Sequence, residues 1–367
     1  MLLKIRFRES KQKPIKSPLS SYNHIDSRLR GNDKELWLEG ERNKFSTSSN
    51  NMRNKKIQIL KQVQDDSQKH LVSIVMPVYN AGDFLVESIQ SILNQTYKNF
   101  EFIIIDDAST DNSWEIMKKF KKSDSRIRIF QLEKNVGVSQ TVKLAIEKAK
   151  GDFLARMDAD DIAHPQRLEK QVNYLLKNTK TVAIGTQCKL IDKKGQTIGQ
   201  KKFPTKFADI YKYIFTFVPL QQPTLMINKT KLPKNFEYYY DSLDTAEEVE
   251  LLFKLFLYGK VKNLKEKLHS YRLHDKNTSL KNLKRTFLLT LISRFRAILK
   301  YRYRPTLLGL ISTLIQSLIV LLLPAKMILS LYWFLKKIKH QRKAIPNLFK
   351  HKPLRRVVFQ LRSVFSI

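Results

Sequence analysis

The chain has few of the residues and motifs that mark common small catalytic folds. Cys188 is its only cysteine in 367 residues, so an intramolecular disulfide is excluded and no Cys/His cluster has zinc-ligand spacing. Neither G-x-G-x-x-G nor a Walker lysine motif occurs, which argues against dinucleotide binding and P-loop phosphate binding. If the chain binds phosphates, a metal ion is the remaining way to hold them.

Acidic residues are absent from the last quarter of the chain. The formal net charge is +35, yet residues 276–367 contain 20 Lys and Arg with no Asp or Glu. Residues 1–70 contain 16 basic and 8 acidic residues, which leaves a net charge of only +7 for residues 71–275. A basic tail is typical of nucleic-acid binding. This tail also contains a long apolar stretch, so we expect membrane contact and no nucleic-acid partner.

The beginning of the chain lacks the uninterrupted apolar region of a secretory signal, because Lys4 and Arg6 follow the first apolar residues too soon. Met52 stands shortly before the part of the chain with recognisable structure. We expect residues 1–51 to be disordered or an upstream extension of the functional start, and residues 52–70 to be a linker.

Three short apolar runs end directly in polar residues. The runs are 72–78, 100–105 and 153–155, followed by Tyr79-Asn80, Asp106-Asp107 and Met157–Asp161 respectively. Amphipathic segments separate them, which predicts βαβ units with parallel strands and right-handed crossovers. All strand carboxyl ends then emerge at one edge of the sheet, where ligands of open α/β sheets bind.

The acidic cluster Asp158-Ala-Asp160-Asp161 is the strongest candidate for chemistry. Carboxylates gathered at the end of a buried strand repel one another and resist desolvation, so such a cluster favours a bound divalent cation. Oxygen ligands of this kind suit Mg²⁺ or Mn²⁺. An isolated cluster is more often a solvated acidic turn. Its position behind a predicted strand, beside two other polar strand ends, reverses that preference.

The same positions carry a family resemblance. Five motifs occur in the order and spacing of family-2 glycosyltransferases: Val72–Asn80, Ser91–Tyr97, Ile105–Ser113, Asn135–Gly137 and Met157–Asp161. The set resembles that family over about residues 71–280. The resemblance implies an α/β fold called GT-A, a Rossmann-like, mostly parallel sheet flanked by helices. It also implies a nucleotide-sugar donor.

The resemblance also implies roles for individual residues. Pro77, Tyr79 and Asp107 would contact the nucleobase and ribose, with Asp107 accepting a hydrogen bond from the base. Asp158 would contact ribose or metal. Asp160 would be a ligand of the metal that bridges the donor diphosphate.

Inverting sugar transfer also needs a base for the acceptor hydroxyl. In the family this is the second residue of a Glu-Asp pair near the start of a helix, which corresponds to Glu248 here. Glutamate is one methylene longer than aspartate, and a misplacement of about 1 Å can cost on the order of 10²-fold in rate. The alternative is that Glu247 and Glu248 are ordinary acidic residues of a first helical turn.

Two further segments resemble parts of the family site. Arg272 and His274 lie in a segment that closes the site in the family, which makes both candidates for phosphate contact. As isolated residues after an apolar strand, both would be surface groups. Gln222 lies in a segment that lines the acceptor side in relatives.

Residues 281–367 are expected to form a basic, helical, membrane-associating C-terminal region. Its apolar part, 305–335, begins with 21 uncharged residues, about 31 Å long as a helix against a hydrocarbon core of about 30 Å. Nine basic residues precede this stretch and eleven follow it. A single span would carry one group across the membrane, contrary to the positive-inside tendency. An interfacial or re-entrant arrangement avoids this, and a buried helical hairpin or dimer interface is the alternative.

These features predict a metal-dependent inverting glycosyltransferase at the cytoplasmic face of the inner membrane. It would transfer a sugar from a UDP or dTDP donor to a surface glycan or lipid-linked acceptor. Two alternatives remain open. One is a polyprenyl-phosphate sugar synthase of the same fold, and the other is a non-catalytic sugar-binding or scaffold protein.

Overall fold

The structure, a computed structural model, describes residues 69–239, 247–274, 283–324 and 327. These residues form nine strands and eight helices. The strands are β1 Val72–Val78, β2 Phe100–Asp106, β3 Ile127–Gln131, β4 Phe153–Arg156, β5 Ile162–Ala163, β6 Thr181–Ile191, β7 Thr197–Lys201, β8 Met226–Asn228 and β9 Lys260–Arg272. The helices are α1 Gly82–Leu93, α2 Ser113–Ser123, α3 Val138–Glu147, α4 Arg167–Lys177, α5 Phe207–Tyr213, α6 Glu247–Leu255, α7 Leu283–Lys300 and α8 Leu307–Leu322.

The first half of the sheet follows the βαβ pattern predicted from the sequence. Strand β1 is central and runs parallel to β2 and β4, while β3 extends the sheet beyond β2. Val72 is in register with Phe100 on one side and with Phe153 on the other. The carboxyl ends of β1, β2 and β4 therefore lie side by side, as expected for parallel strands.

The prediction of a mostly parallel sheet is wrong for the second half. The strand order is β3-β2-β1-β4-β8-β6-β9-β5, with β7 beside β6. Strand β8 is antiparallel to both β4 and β6, while β6 is parallel to β9. The turn at Gln222–Thr224 brings the chain to the carboxyl end of β4, where the Arg156 amide donates to the Leu225 carbonyl at 2.9 Å. Because β8 starts at that end, it runs opposite to β4, and the sheet is mixed.

Helices cover both faces of this sheet. Leu85, Ile89 and Ile92 of α1 are buried in one apolar cluster with α2 and α4. Val142 and Ala145 of α3 are buried in the second cluster, together with most apolar residues of α6. The apolar spacing of three and four residues seen in the sequence thus marks the core-facing side of each helix.

Helix α7 lies against α6, and α8 lies against α7 and the segment at Phe215 and Thr216. The buried carboxylate of Glu250, on α6, accepts hydrogen bonds from Ser293 Oγ at 3.1 Å, Arg296 Nη1 at 3.3 Å and the Tyr301 hydroxyl at 2.8 Å. The helical hairpin is thereby fixed to the helix that also carries Glu248.

Parts of the predicted organisation fall outside the described residues. This applies to the extension 1–51, to all but the end of the 52–70 linker, and to most of the apolar segment after Pro324. Among the described residues, no helix has the length and apolar character needed to cross a membrane.

Candidate active site

The predicted nucleotide-contacting residues follow two neighbouring strands. Pro77 is half-buried near the end of β1 and is in register with Ile105 of β2. Tyr79 comes directly after β1 with 54% of its surface exposed. A tyrosine left open to solvent beside a polar strand end offers a flat face on which a ligand ring can stack.

Asp107 is buried and holds the loop before α3. Its two carboxylate oxygens accept hydrogen bonds from the backbone amides of Val136 and Gly137, at 2.8 and 2.9 Å. Gly137 has a φ of 86°, a conformation that favours glycine. Asp107 therefore shapes this loop, and its predicted hydrogen bond to a base would use the remaining lone pairs of the same oxygens.

The acidic cluster lies at the carboxyl end of β4. Oxygen atoms of Asp158, Asp160 and Asp161 lie within 4.8 Å of one another. Asp158 is half-buried and forms an ion pair with Arg156 at 2.9 Å, and Asp160 lies 2.8 Å from Nε2 of His274. Burial raises the pKa of Asp158, and the nearby charge of Asp160 raises it further. Three oxygens that repel one another fit a divalent cation, which would relieve this repulsion.

Asp161 has a different environment from the other two acids. Its side chain is fully buried, and its oxygens bind Nε2 of His269 at 2.7 Å and the Arg272 backbone amide at 2.9 Å. Burial raises the pKa of Asp161 and lowers that of His269. The carboxylate is occupied by protein groups, so we assign it to fixing β9 beside the cluster and leave Asp158 and Asp160 as the candidate metal ligands.

Replacing Asp161 by alanine tests this assignment. We expect the free energy of unfolding to fall by about 3 kcal/mol, because His269 and the Arg272 amide lose their buried acceptor. Asp161→Asn keeps a carbonyl acceptor and should lose less. Chemical denaturation of both variants measures the difference, and equal stability of Asp161→Ala and the unmodified chain would contradict the assignment.

Arg272 and His274 both lie beside the acidic cluster, in different surroundings. Arg272 is 1% exposed, and its guanidinium donates to the carbonyl oxygen of Asp160 at 2.8 Å and pairs with Glu87. These contacts favour a structural role, so phosphate contact by Arg272 remains a prediction. His274 contacts the side-chain carboxylate of Asp160, and its ring lies against Phe84, with ring centroids 4.9 Å apart.

The candidate base is at the start of α6. Glu247 is buried, and Nε2 of Gln222 lies 3.3 Å from its carboxylate and 3.4 Å from the Tyr239 hydroxyl. Glu248 is half-buried. Burial raises the pKa of Glu248 to about 8, with further contributions from the charges of Glu247 and Asp158. Both glutamates belong to a first helical turn, as the alternative interpretation expected, but Glu247 is buried and the charge of Asp158 acts on the pKa of Glu248.

The comparisons with known proteins support the family resemblance seen in the sequence. The sequence model described as "Glycosyl transferase family 2" matches residues 73–234. The O-antigen biosynthesis glycosyltransferase WbnJ of Escherichia coli is 35% identical over 217 residues, which cover 57% of this chain and 82% of WbnJ.

The chain belongs to glycosyltransferase family 2. An uncharacterized glycosyltransferase of Haemophilus influenzae is likewise 35% identical over 222 residues, covering 57% of this family-2 chain and 67% of the relative. The crystal structure of S. aureus TarS 1-349 in complex with UDP aligns with a TM-score of 0.53 and 19% identity, covering 80% of this chain and 89% of that one. That similarity supports the GT-A fold.

Sequence reasoning missed one residue of this family-2 site. Arg156 is 5% exposed, and its charge lowers the pKa values of Asp158, Glu247 and Glu248. It is the cation common to both groups of acids. The signal was its position directly after the apolar run 153–155 and two residues before Asp158.

Proposed function

We propose that this family-2 protein is a metal-dependent inverting glycosyltransferase that moves a sugar from a nucleotide-sugar to an acceptor hydroxyl. The observation that carries the proposal is that one member of the acidic pair Asp158 and Asp160 acts electrostatically on the candidate base Glu248. Asp158 and Asp160 form a cation-binding pair, and Asp158 is close enough to Glu248 for its charge to raise the pKa of that glutamate. Leaving-group stabilisation and proton acceptance need such neighbouring groups.

The proposed cation is Mg²⁺ or Mn²⁺, held by Asp158 and Asp160. When bound, such an ion neutralises the negative charge that a departing diphosphate accumulates. Arg156 favours the ionised form of Asp158 and orients it through the 2.9 Å ion pair. His274, 2.8 Å from Asp160, orients the second ligand.

The proposed nucleotide side consists of Pro77, Tyr79 and Asp107. The exposed ring of Tyr79 supplies a stacking face, and the buried carboxylate of Asp107 supplies acceptors for donor groups of a base. We favour a uridine or thymidine nucleotide on the family resemblance.

The proposed base is Glu248, which accepts the proton of the acceptor hydroxyl. A catalytic base works best with a pKa close to the working pH, and the value of about 8 for Glu248 meets that requirement. Nε2 of Gln222 donates to the carboxylate of the neighbouring Glu247 and to the Tyr239 hydroxyl, which fixes the first turn of α6.

For the acceptor, we propose a hydroxyl of a cell-surface glycan or of its lipid-linked precursor. Support comes from WbnJ, a relative named for O-antigen biosynthesis, and from the basic, apolar C-terminal region. The proposed location is the cytoplasmic face of the inner membrane.

A donor screen tests the proposal. The full chain is heated with UDP-, dTDP- and GDP-sugars, each with Mn²⁺ or with EDTA, and donors that raise Tm only with Mn²⁺ are then assayed for transfer. We expect a UDP- or dTDP-sugar to stabilise the protein. A donor that binds without any transfer would favour the non-catalytic alternative, and transfer to a polyprenyl phosphate would favour the synthase.

Replacing Arg156 by methionine should shift the pH dependence of transfer. Its charge lowers the pKa of Glu248, so the variant should need a higher pH to ionise the base, by about one pH unit. The measurement is kcat/KM against pH, and an unchanged profile would mean that Arg156 does not act on the base. Arg126→Met, which removes an arginine paired with Asp124 outside the site, is the control.

A further inference from the structure

The outward face of α7 carries an apolar stripe. Leu288, Ile292, Phe295 and Leu299 are between 37% and 83% exposed. Their spacing of four, three and four residues places all four on one side of the helix. The opposite side holds Ser293 and other residues that contact α6.

Helix α8 has the polarity of its faces reversed relative to an ordinary surface helix. Leu307, Ile311, Leu314, Leu318 and Leu321 form one stripe, and each is between 42% and 76% exposed. On the opposite side, Gly309, Ser312 and Gln316 are buried. An amphipathic helix of a soluble domain normally turns its apolar side to the core, so this orientation needs an explanation.

Polar contacts to the catalytic domain hold α8 in this orientation. Nε2 of Gln316 donates to the Thr216 carbonyl at 3.0 Å, and the Thr313 hydroxyl donates to the Phe215 carbonyl at 3.1 Å. Nη1 of the buried Arg294, on α7, donates to Gln316 Oε1 at 2.9 Å. These bonds occupy the polar side of α8, and the leucine stripe is consequently directed away from the domain.

Exposed basic residues border the two stripes. They are Lys284 and Arg285 at the start of α7 and Lys300, Arg302 and Arg304 around the connection to α8. No acidic residue occurs from 276 to 367. The described outward face of α7 and α8 is therefore apolar in its centre and positive at its border.

We propose that the outward faces of α7 and α8 form one docking surface for an anionic membrane leaflet, lying in the plane of the headgroups. A leaflet provides both the apolar interior that the leucine stripes require and the negative charge that complements the basic border. A second copy of the chain would bring the same positive border against this one, which is unfavourable. This inference deepens the membrane location in the proposed function and rests on that function for its acceptor.

The surface is joined to the candidate active site through Glu250. The carboxylate of this α6 residue binds Ser293, Arg296 and Tyr301 of the hairpin, while the first turn of α6 carries Glu248. Docking would thus hold the candidate base at a fixed position relative to the membrane, where a lipid-linked acceptor presents its sugar.

Vesicle flotation of the full chain tests the docking surface. The probes are phosphatidylcholine vesicles with and without phosphatidylglycerol. We expect flotation with the anionic vesicles and a loss of more than about tenfold in the double variant Leu314→Glu/Leu318→Glu, since burying two leucines accounts for at least that much binding. Both substitutions are at exposed positions and should leave Tm unchanged. Ile198→Glu, at an exposed apolar position of β7, is the matched control and should float normally.

The outcomes separate docking from catalysis. Donor stabilisation by Mn²⁺ and UDP- or dTDP-sugar, measured without vesicles, should be the same in the double variant and the unmodified chain. Absent flotation of the unmodified chain, or undiminished flotation of the double variant, overturns the docking surface. It is also overturned if sedimentation shows that the unmodified chain is a dimer and the double variant a monomer, while both still float with the vesicles. Flotation without donor binding would retain the docking surface and reject the proposed function.

Discussion

Replacing Asp160 by alanine should remove Mn²⁺-dependent donor binding and reduce sugar transfer on the order of 10³-fold. The fold should survive, because the side-chain contact of Asp160 is with His274 at the edge of the site. Its charge also raises the pKa values of Asp158 and Asp161. Removing it relieves that repulsion, so the ligand-free variant should be as stable as the unmodified chain or slightly more stable.

Three measurements define this test. Tm without ligands reports the fold, the rise in Tm with donor and Mn²⁺ reports binding, and product formation reports transfer. Glu115→Ala, at an exposed acidic residue of α2, should behave like the unmodified chain in all three. Activity of the unmodified enzyme should disappear in EDTA and return with Mn²⁺. Full activity of Asp160→Ala, or activity insensitive to EDTA, would reject the metal assignment.

A contrast between neighbouring acids strengthens the test. Asp160→Ala is expected to lose function while keeping stability, whereas Asp161→Ala is expected to lose stability. The two residues are adjacent in sequence, but only Asp161 is fully buried with His269 and the Arg272 amide as partners. If both variants lost stability equally, the cluster would be a structural network.

The first half of the fold was predictable because its signals are local. Polar residues directly follow each predicted strand, and in the intervening helices apolar residues recur every three or four positions. The strand pairings of the second half depend on distant segments: the three-residue β8 lies between β4 and β6, and β6 pairs with the later β9. The spacing of apolar residues along the chain does not indicate the order of the strands, and for this reason the sheet was predicted to be more parallel than it is.

The candidate site divides in the same way. Asp158 and Asp160 were identifiable because they share one short motif after one strand. The pairing of Asp161 with His269 spans 108 residues, so spacing could not distinguish this acid from its two neighbours. Arg156 had a local signal in its position directly after an apolar run and two residues before Asp158, but its effect on the pKa of Glu248 depends on the packing of the distant helix α6.

The C-terminal region shows a different limit. Composition identified the apolar stretch and its basic flanks, but the sequence could not give the orientation of the helix. Burial of Ser312 and Gln316 with exposure of Leu314 and Leu318 is a property of the packing between α8 and the domain.

The second prediction with a large effect concerns Glu248. Glu248→Gln should keep donor binding and lower kcat about 10²- to 10⁴-fold, because an amide cannot accept the acceptor proton. The amide is close to the carboxylate in size, so the first turn of α6 is preserved. Binding is measured by the rise in Tm with donor and Mn²⁺, and turnover by product formation.

The pH dependence provides an independent criterion. Burial and the charge of Glu247 raise the pKa of Glu248 to about 8, so at lower pH most molecules carry the protonated, inactive carboxyl. In the unmodified enzyme kcat/KM should rise about tenfold per pH unit below pH 8 and level off above it. The residual activity of Glu248→Gln should lack this rise.

Glu247→Gln separates the base from its neighbour. Glu247 contributes to the raised pKa of Glu248, so removing its charge should move the pH profile towards lower pH by about one unit while kcat on the plateau changes little. A loss of turnover in Glu247→Gln with normal turnover in Glu248→Gln would exchange the two roles.

Glu248→Asp shortens the side chain by one methylene and supplies the residue type usual at this position in the family. If it retains more activity than Glu248→Gln and still shows the pH-dependent rise, then the carboxylate at this position is the proton acceptor, and its distance from the acceptor hydroxyl sets the rate.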